Sequence, residues 1–415
     1  MARQDRDGTA ATGTATSALD LFSAPTAHWF REAFGAPTPA QEGAWRSVTA
    51  GQDTLVVAPT GSGKTLAAFL TAIDRLAFGP EEDAQEPSGT SVLYISPLKA
   101  LGVDVERNLT SPLVGTMRAA QLLGHAHRSI EVGVRTGDTP PAERRRLIAH
   151  PPDVLITTPE SLFLMLSSAA RETLRSVRTV IVDEVHAVAG TKRGVHLALS
   201  LARLDALAAH AIQRIGLSAT VEPADEVAAF LAGNGRGQEM TVVRPPSRKE
   251  WDLSVRLPVP DLSAIEPPAD AADEDDVAGT IWPHVERAVL DEVLAHRSTI
   301  VFTNSRRQAE RLTSKLNLLH RRRAGADVDD VARAHHGSMS KEHRKQIEEQ
   351  LKAGALRCVV ATSSLELGID MGAVDLVIQV ETPFSVSSTL QRIGRAGHDV
   401  GAVSHGIVHL SLIHI

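Results

Sequence analysis

The chain of 415 residues has one cysteine, few aromatic residues and no long apolar run. A single cysteine, Cys358, excludes a disulfide framework and a cysteine-based zinc site. Aromatic residues make up 3% of the chain, so the core must be built mainly from Ala, Val, Leu and Ile. No apolar run reaches the about 18 residues that cross a bilayer, so we expect no membrane partner. The single cysteine fits a reducing compartment, so we expect a cytoplasmic location.

Excess positive charge is also lacking, because the net charge is −7. This excludes a uniformly basic nucleic-acid coat but allows a local basic groove. Two runs of arginine occur, at 144–146 and 321–323. Each run either forms a solvated helix face or contacts a nucleic-acid strand directly. The histidines show no metal-ligand spacing, and the adjacent His335 and His336 suit a loop better than a zinc site.

Two stretches of the chain alternate short apolar runs with amphipathic segments. Strands are predicted at 54–59, 91–97, 153–159, 179–184 and 213–220, and again at 298–304, 356–363 and 374–380. Helices such as 66–76 and 194–207 lie between them. Strands that are apolar throughout and alternate with helices predict an α/β fold, with parallel sheets covered by helices on both faces. The second stretch repeats the architecture of the first.

The amino-acid composition changes between the two stretches, and this change defines the predicted domain boundaries. Residues 1–20 lack the apolar segment of a signal peptide and are expected to be a disordered tail. The first domain is predicted over 21–243 and the second over 281–409. Residues 244–280, with Pro-Pro pairs and an acidic run at 273–276, are interpreted as a linker with an exposed loop. The last six residues, 410–415, resemble a translated sequencing adapter and are interpreted as a non-native tail.

A glycine-rich segment between a strand and a helix predicts a phosphate-binding loop. Its residues are Ala58, Pro59, Thr60, Gly61, Ser62, Gly63, Lys64 and Thr65. Gly61 and Gly63 let backbone N–H groups turn toward phosphate oxygens, and the start of the helix adds partial positive charge. Lys64 is expected to reach the β- and γ-phosphates, and Thr65 to hold Mg²⁺. Ala58 stands where the pattern usually has glycine.

Polar residues at two further strand ends complete this prediction. Asp183 and Glu184 follow a buried strand; we expect Asp183 to hold Mg²⁺ and Glu184 to act as the general base. Residues 218–220, Ser-Ala-Thr, either sense the phosphate or form an ordinary turn. Gln41 either contacts the adenine edge or is an ordinary surface glutamine. We expect ATP and Mg²⁺ as the ligands, and no small-molecule substrate besides ATP and water.

The second stretch contains residues 391–398, QRIGRAGH. Two arginines three residues apart in a segment broken by glycine are not expected in a core. The segment is either a solvated basic turn or the source of an arginine finger that reaches the γ-phosphate, with Arg395 as the candidate. A one-domain P-loop kinase or GTPase would have no use for this second domain.

Taken in order, these segments resemble the core of a superfamily 2 helicase. The matching segments are 58–65, 96–101, 157–162, 183–186, 218–220, 301–306, 361–372 and 391–398, and they extend over almost the whole chain. Residues 183–194 (DEVHAVAGTKRG), 135–139 (RTGDT) and SLELGIDMG are similar to the large helicase-related (Lhr) branch. The resemblance implies two tandem RecA-like domains of the P-loop NTPase type. Its complete members continue into further C-terminal domains.

The resemblance also implies roles for individual residues of the second domain. Gly368 and Asp370 would approach the nucleotide, and Arg395 would be the finger. Many superfamily members have a second arginine where this chain has His398. The resemblance therefore does not decide whether His398 replaces the second positive contact to the nucleotide. Family members are ATP-dependent translocases that move 3′ to 5′ on single-stranded DNA and unwind DNA or RNA–DNA duplexes; a role in DNA repair is an expectation from the resemblance alone.

Polar loops at strand ends in both domains are expected to hold a nucleic-acid backbone without reading its sequence. The candidates are Lys99, Gly137, Asp138, Thr158, Pro159, Glu160, Asn304, Arg306, Gly337, Thr362 and Ser363. Two alternatives remain: an RNA helicase, because the motifs barely distinguish the sugar, and an ATP-dependent clamp that does not unwind. The oligomeric state is left open.

Overall fold

The computed structural model shows an α/β protein built on two parallel sheets. It describes residues 17–59, 61–80, 89–97, 99–219, 223–233, 239–246, 250–262, 265–267, 280–366, 374–383, 385–397 and 403–410. The strands in these ranges are β1 Thr54–Val57, β2 Val92–Ile95, β3 Val132–Arg135, β4 Val154–Thr157, β5 Thr179–Val182, β6 Gln213–Ser218, β7 Thr241–Val243, β8 Trp251–Arg256, β9 Thr299–Phe302, β10 Ala332–His335, β11 Cys358–Ala361, β12 Leu376–Val380 and β13 Ser404–His409. The helices are α1 Ala24–Phe34, α2 Pro39–Thr49, α3 Lys64–Phe78, α4 Lys99–Leu123, α5 Pro141–Ala149, α6 Pro159–Leu166, α7 His186–Ala189, α8 Lys192–Leu207, α9 Ala224–Ala232, α10 Trp282–Ala295, α11 Arg306–Ala324, α12 Lys341–Lys352 and α13 Val386–Ile393.

Each sheet forms the centre of one lobe. The first lobe has the strand order β3-β4-β2-β5-β6-β1-β7, and the second has β10-β11-β9-β12-β13-β8. All pairs are parallel. The carboxyl ends of the strands in each lobe therefore meet at one edge, where polar loops collect. The predicted fold class, two RecA-like lobes with parallel sheets covered by helices, is confirmed.

Aliphatic side chains pack on both faces of each sheet. In the first lobe one face is packed by residues such as Leu55, Val180 and Leu201, and the other by Val56, Ile181 and Phe69. The second lobe is arranged in the same way. Burial on both faces explains why the central strands are mostly apolar, with exceptions such as the buried Arg214 of β6 and Gln379 of β12. No helix in the described ranges is long and apolar enough to cross a membrane.

The few aromatic residues gather at the start of the first lobe. Trp45 is fully buried, and its ring contacts Phe22 and Phe30 edge-on at centroid distances of 5.0 and 5.1 Å. Ala18 and Leu19 are buried in the same cluster. The predicted tail 1–20 is therefore wrong over its last residues, because this apolar pair packs under Trp45. Residues 1–16 lie outside the described ranges.

The predicted linker 244–280 is wrong in its first half. Residues Trp251–Arg256 form β8, which pairs with β13 along six residues at the edge of the second sheet. Val259 is buried in the core of the same lobe. The strand escaped prediction because its side chains are mostly exposed, so it lacks a continuous apolar run. The acidic run at 273–276 is outside the described residues.

Leu410, the first residue of the predicted non-native tail, continues β13. Its backbone N–H donates to the carbonyl oxygen of Arg256, and its side chain packs against the core of the second lobe. Residues 411–415 are not described. The native origin of the tail stays an open prediction.

Candidate functional site

The segment predicted to bind phosphate forms a tight turn between β1 and α3. Gly61 and Gly63 have φ of +81° and +76°, a region that costs other residues energy. Lys64 begins α3, and its Nζ donates to the carbonyl oxygens of Ala58 and Pro59 at 2.6 and 2.8 Å. The turn, the N-terminus of α3 and the ammonium group thus lie together, which is the combination that an anion site uses. Thr60 lies outside the described residues.

Gln41 is buried behind this turn. Its Oε1 accepts from the backbone N–H of Thr38, forming a capping box at the start of α2. Its Nε2 lies 3.4 Å from the carbonyl oxygen of Gly63. The amide therefore braces the phosphate turn against α2. An adenine contact by Gln41 would have to replace these bonds or share them.

Asp183 and Glu184 lie at the end of β5, two strands from the turn. Both side chains are buried. Asp183 Oδ2 accepts a hydrogen bond from the Tyr94 hydroxyl on the neighbouring strand β2, and Oδ1 accepts from the Glu184 N–H at 2.9 Å. Glu184 has φ of +46°, which is unusual for a residue with a side chain, and its Oε2 is buried with no hydrogen-bond partner among the described residues.

The electrostatics of the two carboxyls are dominated by burial. Burial, and then the Glu184 charge, raises the pKa of Asp183 to about 6. Burial also raises the pKa of Glu184, while the charges of Lys64 and Arg395 oppose that rise. In return, burial lowers the pKa of Lys64, and both carboxylates oppose the fall. Perturbed acids and bases in one cleft are typical of a catalytic site.

Arg395 lies just after the end of α13, in the second lobe. Its guanidinium is buried, and Nη2 donates to the carbonyl oxygen of Glu366 at 2.8 Å. Its charge acts on the pKa of both Lys64 and Glu184 in the first lobe. The structure thus brings Lys64, Asp183, Glu184 and Arg395 to one cleft between the lobes.

Arg392 corrects the expectation that neither arginine of this segment belongs to a core. It is buried inside the second lobe, where Nε donates to Glu366 Oε2 at 2.9 Å and Nη1 to Gln379 Oε1 at 2.9 Å. Its guanidinium also lies 5.2 Å from the ring centroid of Phe302. Two acceptors and an aromatic face satisfy the buried cation.

His186 is a residue of this cleft to which the sequence assigned no role. Its Nδ1 accepts from the Ala219 N–H at 3.3 Å and lies 3.1 Å from Ser218 Oγ, while Nε2 contacts the Gln391 amide of the second lobe. Burial lowers its pKa to about 4, so the ring is neutral with the proton on Nε2. The Gln391 atom facing it must then be the amide oxygen, since nitrogen and oxygen are assigned from such networks.

Ser218 and Ala219 thus connect to the second lobe through His186 rather than form an isolated turn. Thr220 is outside the described residues, as are three predicted nucleotide residues of the second lobe, Gly368, Asp370 and His398. The signal for His186 in the sequence was its place at the end of the matched segment 183–186, two residues after Glu184.

The predicted nucleic-acid residues lie at strand ends in the other half of each sheet. Lys99 begins α4 after β2, Gly137 and Asp138 follow β3, and Thr158–Glu160 follow β4. In the second lobe the loops follow β9, β10 and β11, with Asn304, Arg306, Gly337, Thr362 and Ser363. In the first sheet β3, β4 and β2 are neighbours, whereas the nucleotide residues follow β5, β6 and β1. The strand order therefore separates two sites along one edge.

Several of these side chains already have partners within the protein. Thr158 is buried and caps α6, and Glu160 pairs with Arg193, with Nη2 and Oε2 2.9 Å apart. Asn304 Nδ2 donates to the carbonyl oxygen of Thr382 at 3.0 Å, and Arg306 contacts the Ser338 hydroxyl. The side chains of Thr158 and Glu160 are therefore already engaged within the protein.

Comparison with known proteins agrees with this arrangement. The family model for DEAD/DEAH box helicases matches residues 38–227, and that for the helicase conserved C-terminal domain matches residues 285–399. A Mycolicibacterium smegmatis protein named Lhr helicase/probable uracil glycosylase is 60% identical over 94% of this chain and 26% of its own length. The Escherichia coli Lhr helicase/uracil glycosylase is 54% identical over 94% of this chain and 27% of its own.

A solved structure shows the same likeness. The structure of Mycobacterium smegmatis helicase Lhr bound to ssDNA and AMP-PNP is 62% identical, with a TM-score of 0.83, over 95% of this chain and 48% of that one. The chain thus spans about a quarter of the curated relatives and half of the solved one. The chain belongs to the DEAD/DEAH box helicases, in their Lhr branch.

Proposed function

We propose that this chain is an ATP-driven motor that translocates along single-stranded DNA. One observation carries the proposal: Arg395 of the second lobe lies near enough to Lys64 and Glu184 of the first for its charge to act on both, beside the contact between Gln391 and His186 that joins the lobes. A site divided between two lobes makes hydrolysis depend on their closure, which is what a motor needs. The Lhr relative whose structure contains ssDNA and AMP-PNP supports both ligands.

The residues of the first lobe fit a magnesium nucleotide. Asp183 keeps lone pairs beyond those used by Tyr94 and Glu184, and the Thr65 hydroxyl makes no hydrogen bond among the described residues. Mg²⁺ prefers such oxygen ligands. When bound, the ion would neutralise charge on the phosphates. Lys64 would exchange the carbonyl oxygens of Ala58 and Pro59 for phosphate oxygens.

Glu184 and Arg395 carry the chemical step in this proposal. The unpartnered Glu184 Oε2 accepts a proton from the attacking water, and its raised pKa brings it nearer the working pH of a base. Arg395 stabilises charge on the transferred phosphoryl group. Hydrolysis then releases the lobes. By analogy with the Lhr relatives, we propose 3′ to 5′ movement, unwinding of DNA or RNA–DNA duplexes and a role in DNA repair.

The proposal is tested by ATPase assays with and without single-stranded DNA and RNA. We expect stimulation by DNA; stronger stimulation by RNA would favour the RNA helicase, and ATP-dependent binding without stimulation would favour the clamp. Glu184→Gln should keep ATP binding and lose roughly 100-fold in turnover. Arg395→Ala should lose a similar factor with ATP affinity little changed. Normal turnover in Arg395→Ala would refute the divided site.

A further inference from the structure

Two arginines lie together at the outer edge of the first sheet without a carboxylate partner. Arg135 ends the edge strand β3, and Arg144 lies in α5, the next helix. Neither makes an ion pair with any carboxylate that the structure describes, and the side chain of Arg135 has no hydrogen bond there. Arg144 Nε is buried and has no hydrogen-bond partner among the described residues.

The geometry of β3 turns Arg135 toward α5. A Cβ on Gly133 would lie 2.8 Å from side-chain atoms of both Leu147, in α5, and Pro152. Because side chains alternate along a strand, Arg135 points to the same face, and Val132 and Val134 pack into the core on the other. Burial and the neighbouring Arg144 charge lower the pKa of Arg135. Both guanidinium groups stay protonated, so two like charges are held together at a cost in energy.

The pair lies between two of the loops predicted to contact a nucleic acid. Arg144 Nη2 donates to the carbonyl oxygens of Thr136 and Gly137 at 3.4 and 2.8 Å, which fixes the turn after β3. The carbonyl oxygen of Arg135 accepts from the Thr157 hydroxyl at 2.8 Å, directly before the loop after β4. An anion at this place would relieve the repulsion and bridge the two loops.

We propose that Arg135 and Arg144 form a binding site for one phosphodiester of single-stranded nucleic acid. Of the run 144–146, only Arg144 belongs to it. Arg145 is exposed, and Arg146 pairs with Glu143, with Nη2 and Oε1 2.8 Å apart. A guanidinium that lacks an internal carboxylate is free to bind phosphate bidentately. The inference rests on the proposed function, which supplies single-stranded nucleic acid as the ligand.

The test compares two substitutions with the same change in charge. Binding of a fluorescein-labelled oligothymidylate is measured by anisotropy at several salt concentrations. Arg135→Gln is expected to weaken binding about ten-fold at low salt, and to make the slope of log K against log salt shallower by about 0.7, the value for one phosphate contact on a single strand. Arg145→Gln, next to Arg144 but exposed, is expected to leave the slope unchanged.

Two outcomes would overturn the site: an unchanged slope in Arg135→Gln, or equal losses in both variants, which would indicate diffuse charge. ATP hydrolysis without DNA should be the same in both variants and the unaltered protein, because neither arginine lies in the ATP cleft. Failure of the unaltered protein to be stimulated by oligothymidylate would count against the motor. The slopes would still decide the phosphate site, since they measure binding alone.

Discussion

The two carboxylates after β5 are chemically alike but have different surroundings. Both oxygens of Asp183 are occupied, by the Tyr94 hydroxyl and the Glu184 N–H, so its orientation is fixed. Glu184 Oε2 has no such partner in the described part of the chain. A fixed carboxylate suits a metal ligand, and an unpartnered one suits a base that must accept a proton. Tyr94, 89 residues away in sequence, makes this difference.

Asp183→Asn is expected to stabilise the nucleotide-free protein at neutral pH while abolishing ATP hydrolysis. With a folded pKa raised to about 6, the stability from this carboxyl is complete below its unfolded pKa of about 4 and is lost as the pH rises through 6. The free energy of unfolding in EDTA should therefore rise by about 1–3 kcal/mol at about pH 7.5, and by less at about pH 4.5. An equal gain at both pH values would contradict the burial of an ionised Asp183.

At the scale of elements, the phosphate turn depends on its packing against α2. Gly63 combines a left-handed backbone with close contact, because a Cβ there would lie 2.4 Å from Gln41 Nε2. Gly51 has nearly the same backbone, with φ of +79°, but nothing lies within 4 Å of its Cβ position. Substituting alanine at both glycines therefore distinguishes the energetic cost of the backbone conformation, which both share, from that of the contact with Gln41, which only Gly63 has.

Gly63→Ala is expected to weaken binding of a fluorescent ATP analogue at least about ten-fold, because Gln41 and the turn must move apart. Gly51→Ala has similar backbone strain, about 1 kcal/mol, and should bind the analogue normally. Equal affinity in the two variants would show that the contact with Gln41 does not matter.

The edge strand β8 could not be predicted from its own sequence, because its side chains are mostly exposed. A fragment of residues 250–410 should unfold cooperatively, whereas a fragment of 281–410 should melt at least about 10 °C lower or not fold. The shorter fragment loses the six paired residues of β8 and buried Val259, and exposes the backbone of β13. Circular dichroism melting checks this. Identical melting curves would place the start of the second lobe at Ile281 after all.

At the scale of the whole molecule, the contact between His186 and Gln391 links the lobes beside the ATP cleft. Gln391→Ala is expected to lower DNA-stimulated hydrolysis about ten-fold while ATP affinity stays the same, because it removes a contact between the lobes and none to the phosphate turn. Gln350→Ala, in the exposed part of α12, is the matched control. An equal loss of ATP affinity in Gln391→Ala would indicate a role in binding instead.

The sequence predicted central strands better than edges, for a physical reason. Central strands such as β5 and β12 are buried on both faces and show as apolar runs. Four of the strands absent from that prediction, β3, β7, β8 and β10, are the four outermost strands of the two sheets. The side chains of β3, β7 and β8 are partly or mostly exposed, so these strands need no apolar run. Strand β10 is buried except at Arg333, but its four residues are too few and too polar to form such a run.

The sequence by itself determined the chemical groups of the site and the order in which they occur, because a phosphate turn and strand-end carboxylates are local patterns. It could not determine which groups meet. Arg392 and Arg395 are three residues apart, yet Arg392 donates to Gln379 inside the second lobe, whereas the charge of Arg395, after the turn at Gly394, acts on Lys64 and Glu184 of the first. Only the tertiary structure decided this, because it depends on Glu366, Gln379 and the opposite lobe, which are distant in sequence.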